Sequence, residues 1–300
     1  VFNVALKKST KADLAQIMSN VRKLGKVYLV GAGPGATDLI TVRGANLLSK
    51  ADIVFHDALV DPAMLELCPQ AIKEPVGKRC GKLSSAQHFI NKRLIDATQK
   101  YQIIVRLKGG DPMMFGRADE EINALKNHHI EVEVVPGITA ALAGAAAIQQ
   151  SLTLRGVSRS VAFITLAQGT ENLGDNGGQK YPIQNPQADT LVYYMGRKDA
   201  TRIAKQLIES SSNHIGETPV HILEAVSTKN ERHWSSTLGR LADGRANNWF
   251  DSTLPALIMV GEALREKPIM KQTEELQSSS AKFDDGLQDS LILTDCRRSA

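Results

Sequence analysis

Short apolar, β-branched runs alternate with stretches of helical period along most of this chain. Runs at 26–30, 53–56, 72–76, 102–107, 131–135, 161–165, 190–194, 220–223 and 256–260 have the length and composition of strands. Between them, 38–50, 84–100, 117–127, 139–149 and 199–210 repeat apolar residues at three- and four-residue intervals, as helices do. The alternation predicts an α/β fold with mostly parallel sheets, in which ligands bind beyond the carboxyl ends of the strands. A segment rich in Gly, Asn, Gln and Pro at 168–188 reads as a long loop or interdomain linker, which places a domain junction just before it, near 155–159. The expected divisions are an N-terminal extension at 1–24, α/β domains at 25–155 and 156–265, and a Ser-rich, mixed-charge tail at 266–300 that is expected to be disordered.

Two predicted strands run directly into glycine-rich turns. LKGGDPMMFGR brings Gly109, Gly110, Asp111 and Pro112 behind one, and VGAGPGATD brings Gly31, Gly33, Pro34 and Gly35 behind the other. Glycine permits positive φ and lets bare backbone approach a ligand, so the pair of turns implies one cofactor held between strand ends. Gly31, Gly33 and Ala36 satisfy the relaxed dinucleotide pattern GxGxx(G/A), and Asp57 ends the next strand where a ribose-binding acid would stand. A nicotinamide-dependent oxidoreductase is therefore one reading. Against it, Pro34 has no N–H and sits inside the turn that would cradle a pyrophosphate. A tight strand-to-helix turn with no ligand is a third.

Composition narrows the partners. A formal charge of +4, with Lys and Arg scattered among acids, favours an anionic small molecule over nucleic acid. The three cysteines, Cys68, Cys80 and Cys296, show no CxxC spacing, so neither a disulfide framework nor a zinc site is expected, and a reducing cytoplasm is the simplest location. The seven histidines show no ligand spacing, and no metal is expected. No apolar run approaches the roughly 18 to 20 residues that span a bilayer, so no membrane association is expected. The chain begins with Val1, which leaves room for an upstream portion.

VGAGPGATDLIT, VGKRCG, RLKGGDPMMFGR, VVPGITAA and LVYYMG occur here in an order and spacing that resemble the uroporphyrinogen-III C-methyltransferases of the tetrapyrrole methylase superfamily, over residues 25–265. The resemblance implies a two-domain methylase fold, usually a homodimer, with S-adenosylmethionine bound in the interdomain cleft. It implies methylation of two pyrrole carbons of uroporphyrinogen III to give precorrin-2, for sirohaem, cobalamin or haem d1 synthesis. By the same resemblance Asp57 is the proton acceptor and Lys78 the proton donor. Pro34, Gly109, Gly110, Asp111, Met114, Thr139, Ala140, Met195 and Val226 fall in the donor pocket. Arg117 and Glu120 lie near the substrate, and Arg155 falls on an arginine that meets its carboxylates. A sulfonium cation is better met by carbonyls and a carboxylate than by an N–H cradle, which suits Pro34, Gly109, Gly110 and Asp111.

Plainer roles compete with several of these. Asp57 could cap the following turn, and Lys78 with Arg79 could be a solvated pair. Arg117 and Glu120 could pair along one helix, Met195 could fill core, and the small residues of TAALAGAAA could serve close helix packing. The chain also departs from the family pattern. GRADEE replaces GRGGEE through Ala118 and Asp119, SLTLR replaces PLTHR through Ser151 and Leu154, Ala167 breaks TGH, and Val226 stands where glycine is usual. His56 and Ala58, which flank Asp57, are likewise unusual. These positions cluster on substrate-facing segments, so a degenerate paralogue that binds S-adenosylmethionine without turnover is the main alternative.

Overall fold

A computed structural model describes residues 24–76, 83–166, 186–211 and 213–266. Lys78, Arg79, Cys80, Ala167, Cys296, the N-terminal extension up to residue 23, most of the 168–188 linker and the tail from 267 lie outside the described residues.

The first sheet contains β1 (Lys26–Gly31), β2 (Ile53–His56), β3 (Ile72–Pro75), β4 (Ile103–Lys108) and β5 (Val132–Val135). Its order is β3-β2-β4-β1-β5 and every neighbouring pair is parallel, as the alternation predicts. Helices α1 (Val42–Leu48), α2 (Leu83–Thr98) and α3 (Ala118–Asn127) carry much of the chain between strands. Covering both faces of such a sheet explains why its central strands read as near-continuous apolar runs. Val30, Leu48, Met64, Val105 and Leu107 fill one side, and Leu29, Leu94, Ile104 and Leu125 fill the other.

The second sheet contains β6 (Val161–Thr165), β7 (Thr190–Tyr194), β8 (Pro219–Glu224), β9 (Arg232–Thr237) and β10 (Ala256–Gly261), in the order β6-β7-β10-β8-β9. Here the expectation of parallel strands holds for one pair: β6 and β7 are parallel, and the other three pairs are antiparallel. The connection 225–231 between β8 and β9 is too short for a parallel crossover, which takes a dozen or more residues, so the two strands fold back on each other. Strand β9 has no counterpart in the sequence reading because RHWSST is an edge strand with alternating exposure and one large apolar residue, Trp234. Helices α5 (Ala200–Ser210) and α6 (Leu238–Ala242) pack Ile203, Leu207, Leu238 and Leu241 onto Leu191, Tyr193, Ile222 and Ile258.

Helix α4 (Ala140–Ala147) follows β5 of the first sheet yet packs on the second. A Cβ at Gly144 would lie 3.2 Å from Leu257 Cδ2 and 3.4 Å from Met259 Sδ. The run of small residues thus lets a helix lie close against β10. The described residues up to Arg265 belong to one compact unit.

Candidate functional site

Strands β1 and β4 are sheet neighbours, so the two glycine-rich turns that follow them emerge side by side. The turns are hydrogen-bonded to each other: Gly33 N–H donates to Gly110 O at 3.2 Å, and Gly110 N–H donates to Gly33 O at 2.7 Å. Gly137, just beyond β5, completes the junction. A Cβ on Gly31 would sit 2.6 Å from Gly137 Cα and 2.7 Å from Gly110 O, so these backbones touch with no room for a side chain. Asp111 fastens the arrangement, its Oδ1 accepting from Met113 N–H and its Oδ2 from Gly137 N–H, both at 2.8 Å.

Gly109 and Gly110 differ from the packed glycines. Gly110 has φ +68°, and a Cβ there would meet nothing nearer than Thr139 Cα at 4.0 Å. One on Gly109 would meet only Leu59 Cβ, at 3.4 Å. Bare main chain therefore faces open space at this point.

Strand ends of the second sheet complete the surroundings. Five non-glycine residues with positive φ follow strands: Phe115 (52°) and Arg117 (54°) after β4, Met195 (56°) after β7, and Ala225 (49°) and Ser227 (62°) after β8. Each left-handed residue costs about 1–2 kcal/mol, so packing around the strand ends must hold them there. Ser227 Oγ accepts from Ala36 N–H at 3.1 Å, and a Cβ on Gly35 would lie 2.5 Å from Thr228 Cγ2, so the first glycine turn docks on the loop after β8. The Tyr194 hydroxyl bonds Thr139 Oγ1 at 2.6 Å and accepts from Ala141 N–H at 3.1 Å, supplying the cap that α4 lacks from its own N-cap side chain. Its ring meets Phe115 edge-on at 5.0 Å, and burial pushes its phenol above the usual tyrosine range.

The expected donor residues thus gather around one junction. Pro34 lies in the first turn, Gly109, Gly110 and Asp111 in the second with Met114 N–H on Asp111 O, and Thr139 and Ala140 at the start of α4. Met195, 54% exposed, follows Tyr194, and Val226, nearly buried, presents its carbonyl toward Gly35. Substrate residues are less gathered. Arg117, the left-handed N-cap of α3, donates from Nε and Nη2 to the two carboxylate oxygens of Glu120 at 2.6 and 2.7 Å, so the two residues pair as the plainer expectation has it, though Arg117 stands just outside the helix. Arg155 is exposed in the turn closed by the Leu154–Ser158 bridge and, among the described residues, makes no hydrogen bond or ion pair. Asp57 directly follows β2 and takes Arg106 Nη2 on its Oδ1 at 2.5 Å.

The dinucleotide reading fails on the same geometry. Gly33 and Ala36 N–H groups are already donated to Gly110 O and Ser227 Oγ, and Pro34 has none. The following helix does not open at the turn but at Val42, beyond a 3-10 turn at Thr37–Leu39. No pyrophosphate cradle of free N–H groups on a helix N-terminus remains.

Several residues of the site carry no role in the sequence reading. Tyr194 and Gly137 lie inside quoted motifs, but only the folded contacts give them work. Arg106, Lys108 and Glu121 are almost fully buried. Their signal was available: two cations inside a strand whose neighbours are all apolar must have partners. No group of three metal-binding side chains occurs among the described residues, and none of their helices is long and apolar enough to cross a membrane.

Comparison with known proteins places this geometry in a lineage. The chain is 39% identical over 242 residues to the uroporphyrinogen-III C-methyltransferase of Pseudomonas aeruginosa, covering 81% of this chain and 95% of that protein. It is 42% identical over 261 residues to a siroheme synthase of Pseudomonas fluorescens, covering 85% of this chain but only 53% of that longer protein. Among solved structures, the uroporphyrin-III C-methyltransferase of Thermus thermophilus complexed with S-adenosylhomocysteine matches with a TM-score of 0.67 and 36% identity, covering 81% of this chain and 96% of that one. The family model for tetrapyrrole (corrin/porphyrin) methylases matches residues 26–242, and the chain belongs to that family.

Proposed function

We propose that this chain transfers methyl groups from S-adenosylmethionine to pyrrole carbons of uroporphyrinogen III, giving precorrin-2 in sirohaem- or cobalamin-type tetrapyrrole synthesis. The observation that carries the reading is the open, side-chain-free backbone at Gly109 and Gly110, in a chain 36% identical to an enzyme crystallised with S-adenosylhomocysteine. A cradle with few free N–H donors, the Asp111 carboxylate and two methionines fits a cationic donor better than an anionic one.

S-adenosylmethionine supplies an electrophilic methyl group when bound. Pro34, Gly109, Gly110, Asp111, Met114, Thr139, Ala140, Met195 and Val226 hold it in this reading. Catalysis then rests on presenting a ring carbon in line with the methyl and excluding water. The methylated ring carbon has no hydrogen of its own to lose, so the macrocycle sheds a proton from another position as it rearranges; Asp57 is the proton acceptor and Lys78 the proton donor of that rearrangement, with one proton lost overall for each methyl gained. Arg155 receives carboxylates of the anionic substrate, and Arg117 and Glu120 lie near it. The reading includes domains at 25–155 and 156–265, a cleft between them, a homodimer and a cytoplasmic location.

A second reading, a paralogue that binds the donor without turnover, is favoured by Arg117 being engaged with Glu120 and by buried Ala118 at a family glycine position. Calorimetry with S-adenosylhomocysteine followed by a methylation assay on uroporphyrinogen III separates the two. Binding with product formation supports the enzyme. Binding without product supports the paralogue, and no binding removes both.

A further inference from the structure

A cluster of four charged side chains runs from the interior of the first sheet to its surface. Glu121, on α3, has no exposed surface, and its Oε1 accepts from Gln87 Nε2, Arg106 Nε and Lys108 Nζ, each at 3.1 Å. Its Oε2 takes Lys108 Nζ as well, also at 3.1 Å. Arg106 and Lys108 point from β4 to the same side, two residues apart, and are 2% and 3% exposed. The guanidinium then reaches outward. Its Nη1 donates to Leu107 O at 3.2 Å and its Nη2 to Asp57 Oδ1, the end of the chain of contacts and its one partly exposed carboxylate.

We infer that Arg106 is a positioning residue for methyl transfer: held by Glu121, it fixes the orientation of the Asp57 carboxylate. The inference rests on the proposed role of Asp57 as proton acceptor and extends it to residues that touch neither donor nor substrate. Three features of the geometry support it. A guanidinium offers donors in a rigid plane, so one residue meets Glu121 through Nε and Asp57 through Nη2, which a lysine ammonium at the same site could not do without moving. Buried ion pairs of this kind seldom add net stability over apolar packing, so the cluster is better explained by what it holds in place than by what it adds to the fold. Among the described residues, Oδ2 of Asp57 accepts no hydrogen bond, which leaves it for a proton from outside.

The charges facing Asp57 come from each neighbouring element. From β4 come Arg106 and Lys108, and from α3 comes Glu121. The His56 ring, on β2 itself, lies with its Nδ1 3.3 Å from Asp57 O. Arg93 of α2 is turned away, stacked on Phe55 and paired with Glu74. Burial works against the charge on Arg106, but Glu121 and Asp57 together raise it above the usual arginine range, so the cation persists at every working pH. Burial, with repulsion from Arg106, pushes the Lys108 ammonium below the usual lysine range, while Glu121 opposes that shift.

Arg106→Lys is the variant of choice, since it keeps a cation beside buried Glu121 and so preserves the fold, which urea melts check. It is compared with wild type, Asp57→Asn and the double variant. The expected result is S-adenosylhomocysteine affinity and KM for uroporphyrinogen III unchanged, with kcat lowered by about 10²-fold, the scale of a misplaced catalytic group. In the Asp57→Asn background, Arg106→Lys should lower kcat no further. An equal loss in both backgrounds would overturn the inference while leaving the methyltransferase reading intact. A readout independent of turnover is the crystal structure of Arg106→Lys. The Asp57 carboxylate should leave its wild-type orientation, and an unmoved carboxylate overturns the positioning role even in a protein that transfers no methyl group.

Discussion

Replacing Gly110 by alanine should separate the ligand-facing role of the second glycine turn from its structural role. At φ +68° an added methyl strains the backbone by about 1–2 kcal/mol. It meets no protein atom nearer than 4.0 Å, so no further steric cost is expected in the free protein. At roughly 2–4 °C per kcal/mol for a chain of this size, the melting temperature should fall by only a few degrees. The same methyl stands in the open space that the proposed function assigns to the donor. Overpacking by one methyl costs about 1–3 kcal/mol, which is roughly a five- to 150-fold loss of S-adenosylhomocysteine affinity. Thermal melts of the free protein and calorimetry with S-adenosylhomocysteine read the two effects separately. A stable variant that binds as tightly as wild type would refute the placement of the donor on this backbone.

Gly137→Ala should behave in the opposite sense, because its Cβ would be driven into Gly110 O and Gly31 Cα, so stability should fall by about 3 kcal/mol or more in urea melts before any ligand is added. Asp57→Asn should leave S-adenosylhomocysteine affinity nearly intact while lowering methylation about 10²-fold or more, and wild-type turnover would remove Asp57 from the mechanism. Tyr194→Phe deletes the acceptor for Ala141 N–H and the partner of Thr139, and should cost about 1–2 kcal/mol in the same melts. Burial holds the His214 imidazole below the usual histidine range, so the unfolded chain takes up its proton first as pH falls. Stability should therefore decline below about pH 6.5, and His214→Gln should lose that part of the decline in urea melts between neutral and acid pH.

The sequence carries the first sheet almost completely, because buried parallel strands leave a plain mark: runs such as 26–31 and 103–108 are mostly apolar and flanked by helical periods. The second sheet is less legible. Strand direction depends on connection length and on partners far along the chain, and edge strand β9 has too little apolar alternation to stand out. Within the site, positions set by local backbone chemistry were readable, such as the glycines after β1 and β4. Interactions between distant segments were not, as with Ser227 and Ala36, which are 191 residues apart. The buried partners of Asp57 fall between these cases. Arg106 and Lys108 announce themselves as misplaced charges in a core strand, but only α3 packing across the sheet reveals Glu121 as their counterion.

The claim that most depends on everything else is that this chain carries a methyl group from sulfonium to a tetrapyrrole carbon. Mass spectrometry of uroporphyrinogen III incubated anaerobically with the protein and isotopically labelled S-adenosylmethionine tests it directly. The expected product is a macrocycle heavier by one or more labelled methyl groups, with S-adenosylhomocysteine formed in proportion. Donor bound but macrocycle unchanged would contradict it.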